Sequence, residues 1–244
     1  MKLIADLHMH TLYSSHAYNT VTEMITQAQK LGLKAIAITD HGPLMPDSGH
    51  EWHFMNKGQI PKKIDDLIVM YGAEVDVINT NGDLDISDYY LKNLDWVVAS
   101  IHKEIIPQLT VEQATQLWLN IAENPYIDMI GHCEQLQHTF DFEKVIPVFA
   151  KNNKVVELNV NSQAVRPTGQ ANMLEIAKLC KKYKCRVAIN SDAHSIYKIG
   201  QTGNIPKMLE SIDFPQELII NASYENLISE LKIHNKYILK QIEE

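Results

Sequence analysis

The 244-residue chain lacks the marks of several protein classes. Its three cysteines, Cys133, Cys180 and Cys185, are an odd number with no C-x-x-C spacing, so neither a disulfide framework nor a thiolate zinc site is suggested. No apolar run approaches the length that spans a bilayer. The start has no basic segment followed by an apolar one, so no secretory leader is predicted. No Gly-rich dinucleotide fingerprint appears. Basic residues are outnumbered, 22 Lys and Arg against 30 Asp and Glu, for a net charge of −8. That balance argues against a broad basic face that tracks nucleic acid. It leaves room for a small anionic substrate if the site itself is locally positive. The expectation is a cytoplasmic enzyme that does not engage membranes.

Hydrophobic residues make up 45% of the chain and charged ones 21%, which suits one domain over 1–244 with an ample core. Histidine is the unusual component, with 11 copies. Two of them open the chain in Asp6-Leu7-His8-Met9-His10. Residues at i and i+2 of a strand share a face, so His8 and His10 project together, about 6–7 Å apart along it. Two neutral imidazoles so placed make a bidentate grip for a metal, and Asp6 on the same face is placed to orient one ring.

Strands and helices alternate after that. Strands are predicted over 3–7, 34–39, 67–75, 95–101, 127–131, 155–160 and 186–190, with a short eighth at 218–221. The second is apolar throughout, as a strand buried on both faces should be. Capping boxes start helices at Thr20 with Glu23, running to Leu31 before Gly32, and at Thr110 with Gln113. Asp141 starts another, which Pro147 is expected to kink or break. A further helix covers 171–182, and Ser223 caps the last. The Gly-, Pro- and His-rich stretch 43–61 is a long loop, a kind that tends to be functional. About seven βα units predict an α/β fold that closes into a barrel of parallel strands, rather than an open doubly wound sheet.

Candidate ligands follow the strand ends. His8 and His10 come after the first strand, with His16 in the loop beyond, and His41 after the second. Glu74 ends the third, His102 follows the fourth, His132 the fifth, and Asp192 and His194 the seventh. In a parallel barrel these ends open on one face. A single such histidine is ordinarily a hydrogen-bonded core or capping residue. Seven need a shared partner, because burying them unpaired costs stability, and divalent metal is the simplest. Seven imidazoles and two carboxylates exceed the needs of one ion and suit two or three. Three divalent ions outweigh two carboxylates, so the pocket stays positive and draws an anion such as phosphate. Multi-metal sites of this kind serve phosphate ester hydrolysis.

Asp6-Leu7-His8-Met9-His10, Thr39-Asp40-His41-Gly42-Pro43, Gly72-Ala73-Glu74 and Ser191-Asp192-Ala193-His194 resemble, in order, the motifs of the PHP (polymerase and histidinol phosphatase) superfamily. Ser15-His16-Ala17-Tyr18 and Glu51-Trp52-His53-Phe54 are closer still to its YcdX-type phosphatases. The resemblance implies a distorted (β/α)7 barrel, TIM-barrel-like, with three metals at the C-terminal ends of the strands, usually zinc and sometimes manganese or iron. It implies that His8, His10, Glu74 and Asp192 hold one ion. Glu74 bridges to a second, bound also by His102 and His132, and His16, His41 and His194 hold the third. Two stretches depart from close relatives. Cys133-Glu134-Gln135-Leu136 stands where they tend to have Pro-Gly-Asn-Pro, and Lys103-Glu104 where they have Glu-Pro. Both lie on the rim and bear on substrate identity more than on metal binding.

The implied activity is hydrolysis of a small phosphorylated metabolite, a phosphomonoester, by a metal-activated hydroxide, with Glu74, Asp192 and His194 as the catalytic group. Arg166, after the sixth strand, is placed to grip phosphate bidentately. His53 and His50 in the long loop are candidates for substrate contact. Lys103 points away from the site if its strand continues. Glu157 rivals Glu74 as the bridging carboxylate, but Glu74 has the family's Gly-x-Glu context. His138 and His234 read as surface residues, and Cys133 as a small buried apolar side chain. A phosphodiesterase or exonuclease on nucleic acid is the alternative, opposed by the acidic charge and the lack of a basic, aromatic-laced groove. A non-catalytic metal-binding module is opposed by the complete ligand set. A homo-oligomer is left open.

Overall fold

The computed structural model describes residues 1–165 and 167–242. Its strands form two sheets. The first aligns β1 (Ala5–Asp6) and β2 (Ala35–Ile38) in parallel; beyond them β3 (Lys63–Ile64) runs antiparallel on the edge of β4 (Leu67–Tyr71), itself parallel to β2. The second is wholly parallel, in the order β5 (Ala73–Asp76), β6 (Val97–Ser100), β7 (Met129–Ile130), β8 (Val155–Asn159) and β9 (Val187–Asn190). The helices are α1 (Val21–Leu31), α2 (Asp88–Leu91), α3 (Val111–Glu123), α4 (Phe142–Lys151) and α5 (Ser162–Val165), then α6 (Gln170–Tyr183), α7 (Ile205–Ser211), α8 (Tyr224–Ile233) and α9 (Ile238–Ile242). Among the described residues no helix is long and apolar enough to cross a membrane.

Alternation along β2 shows how the strands are covered. Ala35 and Ala37 pack with Leu7, Met70, Trp96 and Met129, while Ile36 and Ile38 pack with Met24 and Ala28 of α1. Both faces are thus buried, which is why the run is apolar throughout. The capping expectations hold in detail. Thr20 and Glu23 form the reciprocal box of α1, and Gly32 closes it with a left-handed φ of 71°.

Three expectations are corrected. The single strand predicted over 67–75 is two strands, parted at Gly72. Tyr71 pairs with Ile38 and Ala73 with Val97, so the chain passes there from one sheet to the other. A Cβ on Gly72 would fall 1.8 Å from the Trp96 carbonyl oxygen, so only glycine fits. Of the two outcomes expected at Pro147, a kink or a break, the break does not occur: α4 continues to Lys151. Val145, Ile146 and Phe149 bury its inner face, and the carbonyl that Pro147 leaves without a donor belongs to exposed Glu143, within reach of water. The eighth strand is reduced to one bridge, Val187 with Ile219. Asn221 replaces it with a side chain: its amide donates to the carbonyls of Ala5 (3.0 Å) and Ile189 (2.7 Å) and accepts from Ile189 N.

The ladders do not join the two sheets; single parallel bridges, His41 with Glu74 and Met9 with Ala193, lie between them. The C-terminal ends of the parallel strands and the residues just past them therefore gather on one side, where open and closed α/β folds alike place their ligands.

Candidate metal centre

All nine sequence-predicted ligands come together on that side. Glu74, within β5, is the hub. Its Oε1 lies 2.8 Å from His132 Nε2 and 3.6 Å from His102 Nε2. Its Oε2 lies 3.3 Å from His8 Nε2, 3.4 Å from His10 Nε2 and 2.9 Å from His41 Nδ1. Asp192 Oδ1 sits 3.2 Å from His10 Nε2. The His194 ring lies 4.3 Å, centroid to centroid, from both His10 and His16. Three groups have ligand atoms within 4.8 Å of one another: His8, His10 and Glu74; His41, Glu74 and His102; His10, His41 and His194.

The donor set fits divalent metal. His8 Nε2 and His10 Nε2 face each other at 3.2 Å, and His194 Nε2 is buried with no hydrogen-bond partner. His41 Nδ1, near as it is to Glu74, also lacks a hydrogen bond's alignment. Facing ring nitrogens and unpartnered buried ones are what a site made for cations presents. Burial disfavours charge on His10, and the His194 and His41 rings push the same way, lowering its pKa to about 3. A neutral ring keeps its lone pair for a ligand bond. Burial would raise Glu74 and Asp192, but the surrounding imidazoles outweigh it and hold both carboxyls well below their usual range. Both stay anionic.

The outer partners differ from ring to ring. Glu157 Oε1 meets His8 Nδ1 at 2.8 Å, and its Oε2 accepts from His132 N. The orienting carboxylate is thus Glu157 and not Asp6, whose oxygens are taken by Ser191 and the Gly200 N–H across the seam from β1 to β9. Asp76 Oδ1 holds His102 Nδ1 at 2.6 Å, Asp47 pairs with His16 Nδ1, and the Gln135 amide lies 2.8 Å from His132 Nδ1. Asp76 had a signal in the sequence, two residues past Glu74 on the same strand face. Asp47 and Gln135 lie in loops where spacing says nothing. His132 (φ 22°) and Asp192 (φ 52°) have left-handed backbones, a local cost of about 1–3 kcal/mol that concentrates at functional sites.

The remaining candidates fall elsewhere. The His53 ring stacks on Tyr13 at 3.7 Å and lies 3.4 Å from Asp40 Oδ2, and it does not line the metal pocket. His50 accepts from Trp52 N at the start of a short 3-10 turn, a packing role for the long loop. β6 ends at Ser100, so Lys103 does not continue a strand; it lines a cleft beside the metal pocket. Arg166 lies outside the described residues. Cys133 is buried, and burial pushes its thiol up, as expected of an inert core side chain. His138 and His234 are corrected: His138 is 2% exposed, and the His234 ring is enclosed between Asp128 and Glu230.

Comparison with known proteins places these residues in a family. The PHP domain family model matches residues 6–161. A probable phosphatase of Caldicellulosiruptor bescii is 42% identical over 98% of this chain and 99% of its own length. One from Clostridium acetobutylicum is 38% identical over 97% of each. The fold is similar, with a TM-score of 0.63 and 17% identity over 88% of this chain and 95% of the other, to histidinol phosphate phosphatase from Lactococcus lactis, solved with zinc, L-histidinol and phosphate. With the motifs in order, their side chains in one cluster and relatives matched end to end, this chain belongs to the PHP domain family.

Proposed function

We propose that this protein is a metal-dependent phosphatase that hydrolyses a small-molecule phosphomonoester, using three divalent ions, zinc foremost, at one end of a distorted seven-stranded barrel. The observation that carries this reading is Glu74, whose Oε1 faces His132 and His102 while its Oε2 faces His8, His10 and His41. A carboxylate with each oxygen turned to a different set of imidazoles suits a bridge between ions. His10 and His41 each belong to two of the three ligand groups, which suits ions packed side by side. The bridges of Met9 with Ala193 and His41 with Glu74 support a strand circuit in which the sheets meet twice.

In this reading His8, His10, Glu74 and Asp192 hold one ion, Glu74, His102 and His132 a second, and His16, His41 and His194 the third. Bound divalent ions supply a lowered pKa for water and neutralise phosphoryl oxygens. The chain's own residues do the rest. Glu157 and Asp76 fix the outer nitrogens of His8 and His102, so that Nε2 of each faces inward. Amides of Asn159 and Asn161 point at Asp192 Oδ2 and favour its anionic form. His194, with 22% of its side chain exposed, and the buried Asp192 both line the pocket that would receive the substrate. Met45 and Val165 add apolar side chains to its lining.

The test is turnover by the purified, metal-loaded protein of p-nitrophenyl phosphate, its bis ester and single-stranded DNA, alongside metal analysis. Three ions per chain and turnover of the monoester are expected. Turnover of the bis ester or DNA alone would sink the monoesterase reading in favour of a phosphodiesterase. Silence on all three at full metal content would leave a metal-binding module.

A further inference from the structure

A second cleft, of about 340 Å3, adjoins the metal pocket, and the two share His102 and Val165. Its volume lies at the low end of the roughly 300–1,000 Å3 usual for small-molecule sites. Most of its walls come from the loops after β6 and β7, the same loops that deliver His102 and His132, and Val165 and Thr168 after β8 complete them. Loops carried on a rigid scaffold are where specificity is set.

The chemistry of the walls is specific. Lys103 Nζ and Glu104 Oε1 are 3.8 Å apart, with 71% and 38% of their side chains exposed. An exposed ion pair this long contributes little to stability, so both charges remain open to a ligand. Gln137 and Thr168 add neutral polar groups, while Gln135 is occupied by the Ile101 carbonyl and His132. Among the described lining residues there is no aromatic ring other than the His102 imidazole, hence no broad platform on which a nucleobase or aryl group would stack.

We propose that this cleft receives the alcohol half of the phosphomonoester and selects a small zwitterionic alcohol, its ammonium at Glu104 and its carboxylate at Lys103. The proposal rests on the monoesterase reading. A neutral polyol leaves the two charges with only each other, whereas a zwitterion exchanges one loose pair for two charge-assisted contacts. The phosphoryl group then lies toward His102 and Val165, where the two spaces meet.

O-phosphoserine and glycerol 3-phosphate serve as probes, one zwitterionic and one neutral in its alcohol. With the metal-loaded protein, both kcat/KM and calorimetric binding are expected to favour O-phosphoserine at least tenfold. Lys103→Gln and Glu104→Gln should each bring the ratio to within about threefold of unity through KM rather than kcat. Equal handling of the two probes, or a preference that survives both substitutions, overturns the proposal and leaves the phosphatase reading standing. A tenfold binding preference without turnover of either probe would leave only the cleft's selectivity for a zwitterion, and would overturn the monoesterase reading together with the assignment of the cleft to the leaving alcohol.

Discussion

The molecule buries two clusters of titratable groups, at opposite ends of its strands, and they solve the same problem in different ways. At the C-terminal ends, carboxylates and imidazoles crowd together with no lysine or arginine among the described lining residues. At the N-terminal ends, Asp128 accepts from Val97 N and pairs with Lys236 and His234, while Glu230 pairs with His234 and Arg186. Beside them Lys154 donates to the carbonyls of Asn124 and Ile127. The lower cluster is closed on itself: each acid has a permanent cation, and α8 with the residues after it is tied to the strands beneath. The upper cluster has facing ring nitrogens and unpartnered ones instead. A histidine-rich buried cluster without fixed cations is a place for ions; one that includes Lys and Arg is a staple.

The widest separation between the two is expected from removing their central acids. Glu74→Ala should lose metal and slow phosphomonoester turnover by roughly 10^3-fold or more, since metal assistance is worth several kcal/mol of barrier. Elemental analysis and steady-state kinetics read both effects; native metal content with native turnover would erase the contrast between the clusters. Asp128→Asn should do the opposite. It leaves Lys236 and His234 facing a neutral amide in the interior, a loss of about 3–5 kcal/mol for a broken buried pair. That lowers the melting temperature by on the order of 10 °C for a chain of this size. Metal content and KM are expected to stay as they were, and a change in either would show that the two ends are coupled.

Only one of these clusters was legible in the sequence. The upper one could be read because each ligand lies in or just past the end of an apolar strand, and the parallel topology turns nine positions scattered over the chain into one locus. Helix limits were equally readable where a capping box and a following Gly32 state them. The lower cluster could not be read. His234 and Lys236 sit on a polar stretch near the C-terminus that looks like surface, and only tertiary packing brings them to Asp128. Gly72 likewise carries no mark of the sheet-to-sheet crossing, because the obstruction is the Trp96 carbonyl, more than twenty residues on. Glu157 was half legible. Strand alternation puts it on the site face, where it reads as a bridging ligand, and only the distances show that it holds His8 from behind.

Glu157 therefore gives a finer test at the upper end. Glu157→Gln keeps the shape and removes the charge behind His8, so metal affinity should weaken about 10- to 100-fold, as outer partners of ligating histidines usually do. Competition with a chelator measures it. Unchanged affinity would mean that His8 is oriented by packing alone.

The smallest effect expected is a dependence of stability on pH that belongs to the lower cluster. Burial opposes charge on His234, but bonds to Asp128 and Glu230 outweigh it and raise the ring above its ordinary value of 6.5. A base raised on folding adds stability that is fully present below its unfolded pKa and fades as pH climbs through the folded one. Asp128 behaves in the opposite sense. Burial would raise it, yet Lys236 and His234 lower it below 3.8, so its contribution is present above that value and fades as pH falls through the lowered one. Together they give most between pH 3.8 and 6.5. Melting curves of the wild type and His234→Gln, taken with the metal content held equal, should accordingly lie furthest apart near pH 6 and converge toward pH 9. Curves that stay parallel over this range would mean that His234 is held as a neutral ring, and that the lower cluster balances its charge through Lys236 and Arg186 alone.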